Sequence, residues 1–181
     1  MKHALVIGGT GMLASVSMWL VNDGFHVSVI GRDPVRMSRL VSKKPSMITP
    51  LLVDYRLDEE LRKQLKESIK KHGEFNLVVA WVHSTGKNVF KVISDVLPDN
   101  AQHSRLFHIL GSQANLGAIR DQVQLNENYL YRQVQLGFVM EENASRWLTN
   151  EEISAGVIES IKDDKLNHLV GVLEPHDARP H

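Results

Sequence analysis

The stretch Ala4-Leu5-Val6-Ile7-Gly8-Gly9-Thr10-Gly11-Met12-Leu13-Ala14 decides the fold of this chain. Its first four residues are apolar, which is typical of a buried strand in a parallel sheet. Apolar residues then recur at helical spacing, at Leu13, Val16 and Leu20, which predicts a helix. A glycine-rich turn therefore joins a buried strand to a helix, and the rest of the chain repeats this alternation.

Further strands are predicted from short apolar runs. They cover residues 25–30, 47–53, 75–82, 105–110, 129–139 and 168–173. Helices are predicted over residues 33–42, 57–73 and 85–97, and the capping box Thr149-Asn150-Glu151-Glu152 begins the last one. This alternation predicts an α/β fold, a doubly wound, mostly parallel sheet with helices on both faces. The expected strand order is 3-2-1-4-5-6-7.

The length of 181 residues predicts one domain, which we place at residues 1–173. The polar segment 174–181 is expected to fray or to dock on a partner subunit. A homo-oligomer is thus an open alternative.

Composition excludes several classes of protein. The 21 Lys and Arg residues balance the 21 Asp and Glu residues, so we expect no nucleic-acid or anionic-membrane partner. The absence of cysteine excludes a disulfide framework, a thiolate metal site and a cysteine nucleophile. The nine histidines form no helical i, i+4 pair of metal-site type, so no metal is expected. The longest apolar run, residues 77–82, is too short to cross a bilayer, and we expect a cytoplasmic protein.

The glycine turn has the composition of a diphosphate-binding loop. Gly8 permits a tight turn, Gly11 leaves the backbone bare for a pyrophosphate, and Ala14 is small enough for the helix to pack closely on the strand. The N–H groups at the helix start and the helix dipole favour phosphate there. The residues predicted to bind a dinucleotide at this turn are Gly8, Gly9, Thr10, Gly11, Met12 and Leu13. The alternative is a glycine-rich turn that binds nothing.

The end of the second strand favours NADP over NAD. An acidic residue about 20 positions after the glycines usually binds the ribose of NAD. Arg32 stands there instead, 21 positions after Gly11, and its guanidinium, assisted by Thr10, is predicted to bind a 2′-phosphate. Asp33 is predicted either to reach the ribose or to cap the next helix through Asp33-Pro34. A solvated side chain is the alternative for Arg32.

Three motifs, Gly8-x-x-Gly11-x-x-Ala14, Gly31-Arg32-Asp33-Pro34 and Asp54-Tyr55, together resemble the short-chain dehydrogenase/reductase superfamily, especially its atypical NADP-binding members. The resemblance implies that Asp54 and Tyr55 flank the adenine, although the pair also suits an ordinary loop before a helix. Trp81-Val82-His83-Ser84 stands where the family has Asn-Asn-Ala-Gly. Trp81 and Val82 would therefore offer a backbone contact to the cofactor ribose, without the family's water-relay asparagine.

The same resemblance assigns the hydride end of the cofactor. Gly111-Ser112-Gln113 matches the position of the family's serine, and Leu136-Gly137-Phe138-Val139 matches its Pro-Gly-x-Val except for the proline. The resemblance thus implies that Ser112 orients a carbonyl or the nicotinamide amide. It also implies that Leu136, Gly137 and Phe138 line the nicotinamide.

The catalytic dyad of that family is missing. Neither Tyr129 nor Tyr131 has a lysine four residues later, where Gln133 and Gln135 stand. The 18 residues from 111 to 128 also leave no room for the long helix that carries the dyad. The usual proton transfer from a tyrosine with a lowered pKa is therefore missing as well.

His83 is a candidate proton donor, because it follows a central strand at the edge where open α/β sheets bind ligands. A histidine merely hydrogen-bonded beside the next helix is the alternative. The leading hypothesis is an atypical NADP(H)-dependent oxidoreductase that transfers hydride to an electron-poor small molecule, such as a flavin, a quinone or a carbonyl compound. The alternatives are a non-catalytic NADP(H) redox sensor that acts through a regulatory protein partner, and a sheet that has lost its ligand.

Overall fold

The computed structural model describes residues 1–98 and 102–181. Its elements follow in the order β1 (Lys2–Ile7), α1 (Ala14–Asn22), β2 (Phe25–Gly31), α2 (Pro34–Lys43), β3 (Ile48–Leu52), α3 (Asp58–His72), β4 (Leu77–Trp81), α4 (Val89–Asp95), β5 (Ser104–Leu110), α5 (Leu116–Gln122), β6 (Tyr129–Leu136), β7 (Phe138–Met140), β8 (Ser145–Trp147), α6 (Asn150–Asp163) and β9 (Asn167–Val170).

One seven-stranded parallel sheet forms the centre of the molecule. Its order is β3-β2-β1-β4-β5-β6-β9, which confirms the predicted order, with β9 as the seventh strand. The winding reverses between β1 and β4, and ligands of doubly wound sheets bind outside the carboxyl ends of the strands at such a point.

Helices cover both faces of the sheet, as predicted. α1, α2 and α6 contribute Val16, Leu40 and Val157 to the core on one face. α3 and α4 contribute Leu61 and Ile93 to the core on the other face. None of the described helices is long and apolar enough to span a membrane.

The strand predicted over residues 129–139 is interrupted at Gly137. The Gly137 N–H donates to the Val170 carbonyl at 2.8 Å, and a Cβ at Gly137 would lie 2.2 Å from the Val172 carbonyl oxygen. Only glycine permits this approach; β6 ends at Leu136, and Phe138 forms an isolated antiparallel bridge with Val172. β7 and β8 then form an antiparallel hairpin, of which the sequence pattern gives no sign.

The helices that follow β4 and β5 are short. α4 does not fill the predicted range 85–97, because the Gly86 N–H closes a turn by donating to the His83 carbonyl at 2.8 Å. Residues 111–128 contain only the seven-residue α5, whose first turn is capped by the Asn115 side chain. The prediction that this stretch holds no long helix is confirmed.

Residues 174–181 contact the β7–β8 hairpin of the same chain. The Ser145 hydroxyl of β8 donates to the Ala178 carbonyl, and the Arg179 guanidinium carbon lies 5.3 Å from the centre of the Trp147 ring. The segment therefore contacts the β7–β8 hairpin.

Three histidines cluster at the amino-terminal edge of the sheet, opposite the glycine turn. In this histidine cluster, His26 and His72 stack with ring centres 3.7 Å apart, and His3 lies 5.5 Å from His72. The Thr49 hydroxyl is hydrogen-bonded to both His26 and His72, at 2.7 and 3.0 Å. The Ser28 hydroxyl is hydrogen-bonded to His3 Nε2 at 2.8 Å. All three rings are thus held by neutral hydroxyl partners on this edge.

Candidate functional site

The glycine turn, residues 8–13, lies at the carboxyl end of β1. Gly8 has a φ of 91°, and its carbonyl accepts hydrogen bonds from the N–H groups of Gly11 and Leu13, each at 3.3 Å. The positive φ confirms the tight turn predicted at Gly8. A Cβ added to Gly11 would meet nothing within 4 Å. The space beside Gly11 is therefore open to a ligand.

Close packing of the turn on the sheet depends on Gly9. A Cβ there would lie 2.9 Å from Val6 Cγ1, 2.9 Å from Val29 Cγ1 and 2.7 Å from Ser17 Oγ. Gly9 thus permits the turn to lie close to both strands, and Ala14, at the start of α1, packs against the core and also lines a cavity beside Gly11.

The start of α1 is positively polarised. Leu13, at the N-cap position, makes no side-chain capping bond, and the first turn of α1 carries no acidic residue. The dipole of α1 is therefore unopposed where the turn meets the helix, which favours an anion. Ser154 of α6 donates to the Met12 carbonyl at 2.9 Å and holds the turn in place.

A cavity of about 330 Å³ beside the turn is rich in cations. We call it the α2 cavity; it is lined by Thr10, Gly11, Ala14, Arg36, Arg39, Leu40, Lys43 and Asn150. Arg36, Arg39 and Lys43 all come from α2, which contains no acidic residue. These cations are not among the residues predicted from the sequence, although their i, i+3, i+7 spacing indicates one helix face.

Arg32 lies at the carboxyl end of β2 and its side chain is 64% exposed. Its Nη1 lies 3.8 Å from Asp54 Oδ2, across a cleft of about 200 Å³ that also contains Pro34, Leu52 and Val53. The Asp54 carboxylate accepts a hydrogen bond from Arg56 Nη2 at 2.7 Å. The Arg56 guanidinium lowers the pKa of Asp54 to about 2, so Asp54 is ionised and paired.

The contacts of Asp33 distinguish between its two predicted roles, which are binding the ribose and capping α2. The carboxylate accepts hydrogen bonds from the N–H groups of Val35 and Arg36, at 2.9 and 3.1 Å. Asp33 therefore caps α2 with Pro34 at the first helical position, which is the second of the two predicted roles.

Tyr55 links the loops that follow β3 and β4. Its hydroxyl accepts a hydrogen bond from the His83 N–H at 3.0 Å, and a Cβ at Gly86 would lie 2.5 Å from the Tyr55 ring. The His83 imidazole is exposed. Tyr55 thus fixes the backbone at the carboxyl end of β4 next to the predicted adenine position.

A second cavity, which we call the tryptophan cavity, opens at the carboxyl ends of β4, β5 and β6. Its volume is about 390 Å³, and it is lined by Trp81, Gly111, Ser112, Gln113, Ala114, Leu136, Gly137, Trp147, Leu148, Ile153 and Arg179. The structure thus brings together four predicted residues, Trp81, Ser112, Leu136 and Gly137. Phe138 is only 1% exposed and belongs to the core.

Gln135 of β6 fixes the wall of the tryptophan cavity. Its amide nitrogen donates to the carbonyls of Gly111, Ser112 and Ala114, at 3.3, 3.3 and 3.2 Å. The loop after β5 is therefore held in one conformation, with Ser112 at the cavity.

The predicted catalytic residues Ser112 and His83 line different cavities. His83 and Val82 belong to a cavity of about 590 Å³ over α4 and α5, which we call the His108 cavity because His108 also lines it. Successive residues of a strand point to opposite faces of the sheet, so Trp81 lines the tryptophan cavity and Val82 lines the His108 cavity.

Neither candidate tyrosine lines the tryptophan cavity. The Tyr129 hydroxyl donates to the Ile93 carbonyl at 3.1 Å, and the Tyr131 hydroxyl is hydrogen-bonded to His108 Nδ1 at 2.7 Å. Burial raises the pKa of both phenols, so both hydroxyls stay protonated. Burial also lowers the pKa of His108 to about 4.

Comparisons with known proteins find likeness in structure alone. No protein-family model and no curated protein matches the chain. A short-chain dehydrogenase/reductase from Burkholderia phymatum in complex with NAD is similar, with a TM-score of 0.72, 9% identity, and coverage of 93% of this chain and 88% of that chain. An alcohol dehydrogenase from the archaeon Thermococcus sibiricus complexed with 5-hydroxy-NADP is similar too, with a TM-score of 0.71, 16% identity, and coverage of 100% and 99%. A betaketoacyl-ACP reductase from Bacteroides thetaiotaomicron has a TM-score of 0.69 at 11% identity, with coverage of 95% and 97%.

The structural neighbours include many short-chain dehydrogenases and reductases. The chain therefore has the Rossmann-type fold of those proteins, as its strand order requires.

Proposed function

We propose that this protein binds a nicotinamide dinucleotide, with NADP(H) preferred, along the carboxyl edge of its sheet. One observation carries the proposal: the backbone at Gly11 is bare and open, beside an α1 start that no side chain caps. Such a helix start binds the diphosphate in dinucleotide-binding folds. Structural neighbours in complex with NAD and with 5-hydroxy-NADP support a nicotinamide dinucleotide as the ligand.

The two halves of the dinucleotide would occupy opposite sides of the turn. Arg32, Asp54 and Tyr55 would hold the adenosine half, since they lie at the carboxyl ends of β2 and β3. The nicotinamide half would enter the tryptophan cavity, whose polar wall includes Ser112. Met12 would contribute its backbone N–H at the helix start, whereas the Leu13 N–H already donates to the Gly8 carbonyl and Leu13 would contribute only to the shape of the turn.

The preference for NADP rests on charge. Asp33 and Asp54 are already engaged, by the α2 N-terminus and by Arg56, so neither carboxylate is free to select a ribose hydroxyl. The exposed Arg32 guanidinium and the cations of the α2 cavity favour an additional phosphate.

An Arg32→Asp variant is expected to weaken NADP binding by about 10- to 100-fold, because a charge-assisted hydrogen bond to phosphate is lost. Its NAD affinity should stay equal or improve. Calorimetric titration with both nucleotides measures the two affinities, and Lys66→Asp, on the exposed face of α3, is the control for the same change in charge. Equal loss for NADP and NAD in Arg32→Asp would contradict the assignment of Arg32.

We further propose that the protein is an oxidoreductase without the tyrosine and lysine pair. A bound reduced nicotinamide supplies a hydride. Ser112 would orient the nicotinamide amide or the acceptor carbonyl in the tryptophan cavity, while Trp81 and Leu136 keep water from one side. The proton would come from water or from the substrate, because His83 lines the His108 cavity and not the tryptophan cavity. Electron-poor acceptors, such as flavins, quinones or activated carbonyl compounds, accept a hydride with the least assistance from a protein proton donor.

Steady-state assays test this activity. NADPH oxidation should be stimulated by at least one member of a panel of flavins, quinones and carbonyl compounds, and Ser112→Ala should reduce that rate. NADPH binding without turnover of any acceptor would remove the oxidoreductase proposal.

A redox sensor is the second candidate, favoured by the engagement of Tyr129 and Tyr131 away from the tryptophan cavity. It predicts tight NADPH binding, no turnover, and a different affinity for NADP+ and NADPH. The panel assay and two titrations therefore separate the two candidates.

A further inference from the structure

We propose that Arg179 makes the tryptophan cavity a subsite for an organic carboxylate, so that the substrate of the protein is a small organic acid. That the occupant is a substrate rests on the proposed function; the anion site itself rests on the geometry of Arg179 alone.

Arg179 is the single charged residue among those that line the tryptophan cavity. Within residues 1–98 and 102–181, its guanidinium takes part in no ion pair. The other arginine of this region, Arg146, is paired with both Glu141 and Glu152 at 2.6 Å. The structure thus leaves one cation without a counter-ion at the predicted nicotinamide end.

The guanidinium contacts two neighbouring side chains. Its carbon lies 5.3 Å from the centre of the Trp147 ring. The Gln113 amide, oriented with its oxygen toward Arg179, accepts hydrogen bonds from Nη1 and Nη2. The backbone around Arg179 is fixed by the Ser145 hydroxyl, which donates to the Ala178 carbonyl, and by the Arg179 N–H, which donates to His176.

One donor of Arg179 has no partner. The Nε atom is buried and makes no hydrogen bond with any described residue. A guanidinium without a counter-ion beside apolar walls costs free energy, and an anionic ligand that meets its Nη groups would offset that cost. A carboxylate suits this arrangement, because its two oxygens match the parallel N–H groups of a guanidinium.

The other residues of the tryptophan cavity determine the shape and polarity of the ligand that it can accept. Its walls include two indole rings, Trp81 and Trp147, and the aliphatic side chains of Leu136, Leu148 and Ile153. Such walls favour an apolar or flat unsaturated body, and a cation placed among them favours a single charged end. The cavity volume of about 390 Å³ fits a small acid beside a nicotinamide ring.

Benzoate and benzamide provide a matched pair of probes, which differ in charge but hardly in shape. Both are titrated calorimetrically into the full chain, with and without saturating NADP+. We expect benzoate to bind at least about 10-fold more tightly than benzamide, and Arg179→Gln to remove that difference. Arg179→Lys should keep part of it, since charge is retained and the planar fork is lost. Lys66→Gln, which removes one positive charge from exposed α3, should change nothing.

Equal affinity for benzoate and benzamide in the wild-type chain would overturn the proposal, and that measurement needs no variant to fold. So would an unchanged benzoate preference in Arg179→Gln. If the wild-type chain binds NADP+ but fails these tests, the carboxylate subsite is contradicted and the proposed function is not. If the chain shows an Arg179-dependent preference for benzoate but does not bind NADP+, the anion site is supported and the proposed function is contradicted.

Discussion

A Gly11→Asp variant is expected to lose NADP(H) affinity by at least about 100-fold, while its free energy of unfolding stays within about 0.5 kcal/mol of the wild-type value. The fold should tolerate the change, because a Cβ at Gly11 meets nothing within 4 Å. A carboxylate at the start of α1 also interacts favourably with the helix dipole. The same carboxylate would occupy the place proposed for the diphosphate and repel it, so stability and binding separate.

Calorimetric titration and denaturant unfolding of the same preparation measure both quantities. Gly117→Asp is the matched control, since Gly117 lies on α5, where a Cβ would make an ordinary contact of 3.7 Å with the Asn115 side chain. The control should bind NADP(H) like the wild type. Full binding by Gly11→Asp would show that the diphosphate does not lie on the glycine turn.

The free energy of unfolding is expected to fall by about 3 kcal/mol as the pH decreases from about 7 to about 4. Burial lowers the pKa of both His3 and His26 to about 4. The pKa of His72 is lowered by burial and by the charge of Lys71, and burial lowers the pKa of His108, outside the histidine cluster, to about 4 as well, so His108 contributes to the same loss. The unfolded chain protonates these rings near their ordinary pKa of 6.5, so the folded state binds fewer protons below that pH. The stabilisation is therefore complete above the ordinary pKa and is lost as the pH falls toward the folded pKa.

Urea unfolding at several pH values between these limits measures the effect. His26→Gln should flatten the curve, because glutamine keeps a hydrogen-bonding group near Thr49 but has no charge to gain. His103→Gln, at an exposed position, should leave the curve unchanged. A stability that does not change over this range of pH would show that the histidine cluster is protonated without cost.

The fold and the glycine turn could be predicted from the sequence because their signals are local. The apolar run Ala4 to Ile7, the positive φ required at Gly8 and the helical spacing after Leu13 lie within a few turns of chain. The α2 cations could also have been found, since Arg36, Arg39 and Lys43 share one helix face.

The rest of the candidate site depends on contacts between distant segments. Residue 137 must be glycine because the backbone of Val172, 35 positions further along the chain, passes too close for a Cβ, and the local sequence gives no sign of this contact. Arg179 reaches the tryptophan cavity only because residues 174–181 fold back on Trp147. Ser112 and His83 lie on the loops that follow β5 and β4, and the cavity that each loop lines depends on tertiary packing that the sequence pattern leaves open.

Titration of the wild-type chain with NADP+ and NADPH, followed by a melting scan of the same samples, tests the central claim most directly. We predict saturable binding of one nucleotide per chain, and at 100 times the dissociation constant a gain of about 2.7 kcal/mol in the free energy of unfolding. Titrations without heat, together with an unchanged melting temperature, would contradict the claim that the glycine turn seats a dinucleotide.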